Sequence, residues 1–151
     1  MLIVLFNIDI QRFGLDARVL TEILPAVPLQ EVYGSIPGVA GMLLHQDAPI
    51  PVIDIGWLTT GRPCPPRLST RILIFDYKAG PPGARLGLRV ENANDAEEID
   101  EEAFIRPGFV SPTTPYLAGI LRRGLETIQL INLDRLLSAE VRACLYPESS
   151  A

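Results

Sequence analysis

The chain has 151 residues, enough for one ordinary domain or for two small lobes sharing a core. Hydrophobic residues make up 48% and charged residues 21%, which excludes a largely disordered chain. Thirteen Lys plus Arg against eighteen Asp plus Glu leave a formal charge of −5, so the chain lacks the basic footprint of a nucleic-acid binder and anionic lipid would repel it.

Fourteen Pro and twelve Gly interrupt the chain often, which favours short strands over long helices. The opening run Leu2 to Phe6 has no basic segment before it and no small-residue cleavage site after it, so it reads as a strand. Leu2 to Leu15 forms two strands around a turn at Ile10-Gln11-Arg12. Asp16 to Leu24 fits a short helix or an extended edge, ended by Pro25 and Pro28. Strand signals follow at Leu29–Tyr33, Val39–Leu44 and Ile50–Ile55, then an irregular connector from Thr59 to Pro66. Ser69–Tyr77 and Arg85–Glu91 are strands around a turn at Gly80-Pro81-Pro82-Gly83. Glu91 to Glu102 reads as a solvated acidic loop. Tyr116–Leu121 and Glu126–Leu133 are the last strands. The end is helical, with Ser138 as N-cap, Val141, Cys144 and Leu145 on one face, and Pro147 as the stop. No apolar run approaches the ~18 residues of a membrane span, so direct membrane insertion is not expected. Two cysteines, Cys64 and Cys144, are too few for a disulfide framework; the pattern suits a cytoplasmic location.

An internal echo organises these pieces. Pro37 to Leu58 aligns without gaps on Pro115 to Leu136, at an offset of 78 residues. Pro37/Pro115, Ala40/Ala118, Gly41/Gly119, Leu43/Leu121, Ile50/Ile128, Ile53/Ile131 and Leu58/Leu136 are identical. Upstream, Leu5-Phe6-Asn7 echoes Ile74-Phe75-Asp76, and Arg12-Phe13-Gly14-Leu15 echoes Arg85-Leu86-Gly87-Leu88. Each half has about five short strands and too little bulk for a large core of its own, and a small sheet must cover its edges. The expected fold is therefore mainly β: two five-stranded, SH3-like barrels packed together by internal duplication, with a short C-terminal helix over one of them. One domain spans residues 1–148, followed by a tail at 149–151.

Catalytic chemistry finds little support. His45 is the only histidine, at the end of a strand, and neither cysteine has a Cys-x-x-Cys partner. The acidic stretch lacks calcium-loop spacing, and no phosphate loop is present. No metal or cofactor is expected. Asp54 and Asn132 hold equivalent positions before a possible helical turn, which suits backbone capping. Gly41 and Gly119 mark close backbone approach or an unusual dihedral, so all three of Gly41, Asp54 and Gly119 read as structural.

The order of units resembles the CheW-like domain, the adaptor of bacterial chemosensory arrays, over nearly the whole chain. Phe13-Gly14-Leu15 followed by Leu20-Thr21-Glu22-Ile23-Leu24 resembles its opening. Pro37 to Gly41, then Ile50-Pro51-Val52-Ile53-Asp54-Ile55, resembles its central signature. Leu86 to Val90 resembles its second-lobe strand, and Ile131 to Leu137 its closing element. The Ser69 to Ile72 run and Ser111 to Leu117 resemble divergent members, such as those of Wsp-type surface sensing. The resemblance implies two barrels and no enzymatic activity. It implies two partners: the cytoplasmic tip of a methyl-accepting chemoreceptor and the regulatory domain of a histidine kinase. Where the family carries Asn-Leu-Arg-Gly, this chain has Leu44-His45-Gln46-Asp47, so Gln46 replaces a charged, bidentate arginine. The expected partner-binding residues are Val39, Leu44, Gln46 and Pro51 in the first lobe, and Leu88, Val90 and Ile99 in the second. The competing classes are a small β-barrel sensor outside chemosensing and a hydrolase using Asp54 with His45.

Overall fold

The longest uninterrupted apolar runs form strands buried on both faces. The computed structural model describes residues 1–31, 36–108 and 115–147, the side chain of Asn94 excepted. Its strands are β1 (Leu2–Ile8), β2 (Gln11–Asp16), β3 (Leu20–Pro25), β4 (Val39–His45), β5 (Ala48–Asp54), β6 (Thr70–Asp76), β7 (Arg85–Glu98), β8 (Leu117–Arg123) and β9 (Glu126–Ile131). Two short helices, α1 (Ile55–Thr60) and α2 (Ala139–Leu145), follow β5 and close the described chain. Asp16 to Leu24 is extended after a single 3-10 turn at Ala17–Val19. The strand expected at Leu29–Tyr33 is reduced to one bridge at Gln30, and residues 32–33 lie outside the described residues, as do 111–114 and the tail.

The expectation of two closed barrels is corrected by the hydrogen bonding. All nine strands belong to one sheet, ordered β3-β6-β7-β1-β2-β9-β8, with β5 joined to β7 and β4 to β5. β7, 14 residues long, runs through both halves. Its first part pairs with β6 and β5, and its second part with β1. The pairing of β7 with β1 shifts register between Glu91 and Asp95, and Asn92 there has a φ of 53°, a conformation that Asn tolerates better than most residues. Neither half closes strand on strand. Single bridges, Gln30 to Met42 and Ile105 to Ile120, stand where a ladder would complete a barrel. In the first half, Pro25 and Pro28 explain the gap, because neither has an N–H to extend pairing beyond β3.

The acidic stretch is also corrected: to Glu98 it is strand rather than loop. Its carboxylates have cationic partners. Glu91 meets Arg67, Asp95 meets Arg12, Glu97 meets Arg123 and Glu98 meets the N-terminal amine.

Two lobes result, and they are not consecutive in the chain. The first contains β3, β4, β5, β6 and the start of β7; the second contains β1, β2, the end of β7, β8 and β9. Leu43, Ile50, Val52, Ile72 and Ile74 fill the first lobe. Ile3, Leu5, Ile99 and Ile128 fill the second. The alternate residues of the same strands, among them Phe6, Leu73, Phe75 and Leu88, form a larger core shared between the lobes. This explains why β1 and β6 read as continuous apolar runs instead of alternating ones.

Equivalent details recur in both lobes. β5 lies parallel to β7 and β9 parallel to β2. Asp54 N–H donates to Gly38 O at 2.9 Å, and Asn132 N–H to Tyr116 O at 2.8 Å. A Cβ on Gly41 would lie 2.7 Å from Gln30 O; one on Gly119 would lie 3.1 Å from Phe104 Cβ. Ser138 caps α2 through Val141 N–H at 3.2 Å. Tyr146 then stacks on Tyr77 at 5.8 Å and donates to Arg85 O at 2.8 Å, fixing the end of the described chain to the first lobe. Among the described residues no helix is long and apolar enough to cross a membrane.

Candidate docking surface

The β4–β5 hairpin carries an exposed leucine at the tip of the first lobe. Val39, Gly41 and Leu43 face inward, and the alternation turns Leu44 outward. The hairpin closes over two residues, Gln46 (φ 52°) and Asp47 (φ 62°), the left-handed pair of a tight hairpin turn. Asp47 adopts this geometry without the family's glycine. Leu44 is 73% exposed, and Gln46 beside it is exposed. A groove of about 490 Å³ runs below, lined by Leu24, Pro25, Val27, Met42 and Leu44 among others.

His45 lies on the opposite face from Leu44. Its Nε2 stands 2.5 Å from Glu22 Oε2 on β3. An ionised carboxylate only accepts, so Nε2 carries the hydrogen. Arg85 approaches the same carboxylate at 3.9 Å. The contact spans the gap between β3 and β4 where no ladder exists. Sequence reasoning did not find Glu22 as the partner, since no local pattern signals a contact across unpaired strands.

The other expected contact residues are placed in the interior. Val39, Pro51, Leu88, Val90 and Ile99 are buried. Leu88 and Val90 pair with Leu73 and Arg71 of β6, so they belong to the first lobe, not the second. Packing has claimed these five side chains, and Leu44 and Gln46 remain at the surface.

A second concavity, about 360 Å³, lies between the lobes, where Pro37, Ile53 and Leu58 face Tyr116, Leu136 and Val141 of α2. It is lined mainly by apolar side chains, among them the equivalent pairs Pro37 with Pro115 and Leu58 with Leu136.

Asp54 and His45 do not come together. Ala48 pairs with His45, and Asp54 lies six residues further along β5, about 20 Å away at the usual strand rise. Asp54 is fully buried; it accepts from Trp57 N–H at 2.9 Å, from Cys64 N–H at 3.0 Å and from Arg89 Nε at 2.8 Å. It caps α1 and pins the connector, and so has no free lone pair for acid–base work. Burial, reinforced by the nearby Asp54 charge, pushes the Cys64 thiol up to about 12, which keeps it protonated near neutral pH. Among the described residues no group of three or more His, Cys, Asp or Glu is arranged to hold a metal ion.

Comparison with known proteins agrees with this arrangement. A family model described as the CheW-like domain matches residues 2–141. The chain belongs to the CheW-like domain family. Its structure is similar to the crystal structure of the scaffolding protein TtCheW from Thermoanaerobacter tengcongensis, with a TM-score of 0.80 and 24% identity over 93% of this chain and 89% of that one. At that identity the likeness speaks for the fold. No curated protein matches the chain. CheW-like proteins are non-catalytic scaffolds of chemosensory signalling, and this CheW-like chain is an adaptor and not an enzyme.

Proposed function

We propose that the chain couples the cytoplasmic tip of a methyl-accepting chemoreceptor to the regulatory domain of a histidine kinase, holding both at once in the cytoplasm. The observation that carries this reading is the tip of the first lobe: Leu44 stands 73% exposed beside the neutral, exposed Gln46, on a hairpin held rigid by the sheet. An apolar anchor rimmed by polar groups is the chemistry of a protein interface. The kinase domain docks there, and the helical hairpin of the receptor enters the apolar concavity between the lobes. Signal passes as a shift in population between array states, biased by the receptor contact.

Titration calorimetry with the purified kinase domain tests the reading. Gln46→Glu is expected to weaken binding about tenfold, ~1.4 kcal/mol, with little change in melting temperature. Unchanged affinity would remove Gln46 from the interface, and absence of any binding by the wild type would remove the kinase as partner. The repeated registers also support reading residues 1–148 as one domain whose lobes arose by duplication. Aligned relatives should then keep glycine at the positions of both Gly41 and Gly119; relatives lacking that paired pattern would count against it.

A further inference from the structure

Most of the guanidinium groups in this acidic chain are satisfied within it. Of twelve arginines, seven meet a carboxylate. Arg71 donates to the carbonyl oxygens of Leu68 and Thr70, and Arg142 faces the Tyr77 hydroxyl. Among the described residues, the side chains of Arg106, Arg122 and Arg135 meet no carboxylate and no other acceptor. Two of these three line one concavity.

That concavity, about 390 Å³, lies on the second lobe, where Arg106, Asn132 and Arg135 stand over Pro107, Pro115 and Leu117. No Asp or Glu is among the described residues that line it, although acids outnumber bases in the chain. Arg106 is placed by Ile105, whose backbone exchanges two hydrogen bonds of 2.8 Å with Ile120 of β8. Arg135 ends the 3-10 turn Leu133–Arg135, and its N–H donates to Asn132 O at 3.2 Å. Asn132 Oδ1 accepts from Asp134 N–H at 3.0 Å, which leaves the two hydrogens of Nδ2 for another acceptor.

The first lobe resolves the same position differently. Asp54 stands there, and its carboxylate takes Arg89 Nη2 at 2.7 Å. The second lobe has an amide in place of that carboxylate, and its two arginines lack the anion that the first lobe builds in.

We propose that this cleft binds a small phosphate monoester, its phosphoryl group held by Arg106, Arg135 and the Asn132 amide and its organic part lying on Pro107, Pro115 and Leu117. Guanidinium forks fit the oxygens of phosphate and of carboxylate. A carboxylate has two oxygens, which a single fork engages; a phosphoryl group has three, matching the three donor groups. The volume exceeds what one anion needs and falls in the range of small-molecule sites.

Titration calorimetry with phenyl phosphate tests this, in about 0.1 M salt, where distant exposed charges are screened. One saturable site per chain is expected. Arg106→Gln and Arg135→Gln should each weaken binding about tenfold, whereas Arg122→Gln, which removes a cation outside the cleft, should leave it unchanged. All three side chains are exposed, so none of these changes disturbs the core. Benzoate, the carboxylate counterpart, should bind at least about tenfold more weakly than phenyl phosphate. Absence of a saturable site overturns the proposal, as does an equal loss in Arg122→Gln, which would mean diffuse attraction to positive charge. Benzoate binding as tightly as phenyl phosphate overturns the phosphoryl group as the ligand chemistry, and inorganic phosphate binding as tightly overturns the organic part. A phosphotyrosine peptide binding about a hundredfold more tightly than phenyl phosphate would assign the cleft to a protein partner and overturn the small-molecule occupant.

Discussion

The two lobes share a scaffold and differ at their tips. Gly41 and Gly119, Ile53 and Ile131, and Asp54 and Asn132 occupy matching places, and the backbone N–H groups of Asp54 and Asn132 make matching hydrogen bonds. At the hairpin tips, Leu44-His45-Gln46-Asp47 in the first lobe stands against Arg122-Arg123-Gly124-Leu125 in the second. The divergence keeps one device: each gap in the sheet is spanned by a side chain from the hairpin meeting a glutamate across it, His45 with Glu22 and Arg123 with Glu97. Packing restrains the positions that face the cores, and the tips face only solvent or a partner. Differences between the lobes therefore point to what each surface does.

The largest expected difference concerns the capping pair. Asp54 is buried and satisfies two backbone N–H groups and Arg89. Among the described residues, the Asn132 side chain accepts from Asp134 N–H alone, at 3.0 Å. Asp54→Ala should cost about 3 kcal/mol, since it strands a partly buried guanidinium and two donors, whereas Asn132→Ala should cost about 1 kcal/mol, an ordinary cap. Urea unfolding of both variants measures this. Equal losses would mean that the lobes rely on their caps equally and that the buried ion pair adds nothing.

The paired glycines sharpen the comparison. A side chain at 41 would strike the backbone oxygen of Gln30 at 2.7 Å and Leu29 Cβ at 2.9 Å, while at 119 the nearest atom is Phe104 Cβ at 3.1 Å. Gly41→Val should destabilise by about 2–3 kcal/mol and Gly119→Val by about 1–2 kcal/mol, the range of overpacked cores. Thermal melts rank the two; a Gly41→Val protein as stable as wild type would show that the Gln30 bridge can open freely.

Short-range patterning is legible for the apolar runs of β1, β5 and β6 and for the Ser138 cap, each of which corresponds to an element. The run expected at Leu29–Tyr33 is the exception, reduced to the bridge at Gln30. What was illegible is non-local. Nothing in Asn92 to Glu98 announces a strand, because its carboxylates Asp95, Glu97 and Glu98 meet Arg12, Arg123 and the N-terminus, which are distant in the chain. Nothing local tells β1 and β2 to join the second lobe, or tells β7 to serve both, and a sheet shared in this way cannot close into two barrels. Leu44 and Gln46 were named from their place in the family motif, and the structure leaves both exposed. Val39 was discoverable as core from the period-two alternation with Gly41 and Leu43, whereas the burial of Leu88 and Val90 follows from β7 lying between β5 and β6.

The smallest effect belongs to the side chains that span the gaps. His45 is mostly buried and Arg123 is exposed, while their glutamate partners Glu22, Glu97 and Glu126 are all part-buried to a similar degree. Water and salt screen exposed pairs, and long side chains lose freedom in making them, so Arg123→Ala should cost no more than about 0.5 kcal/mol, falling further as salt rises. His45→Ala should cost about 1 kcal/mol and respond less to salt, because it also removes a packed ring and leaves Glu22 with Arg85 alone. Unfolding in low and high salt distinguishes the two. A salt-insensitive loss of the same size in both variants would mean that the contacts act through packing alone. The tip carrying Leu44 would then be held by the β4–β5 ladder and the Gln30 bridge, with no contribution from charge.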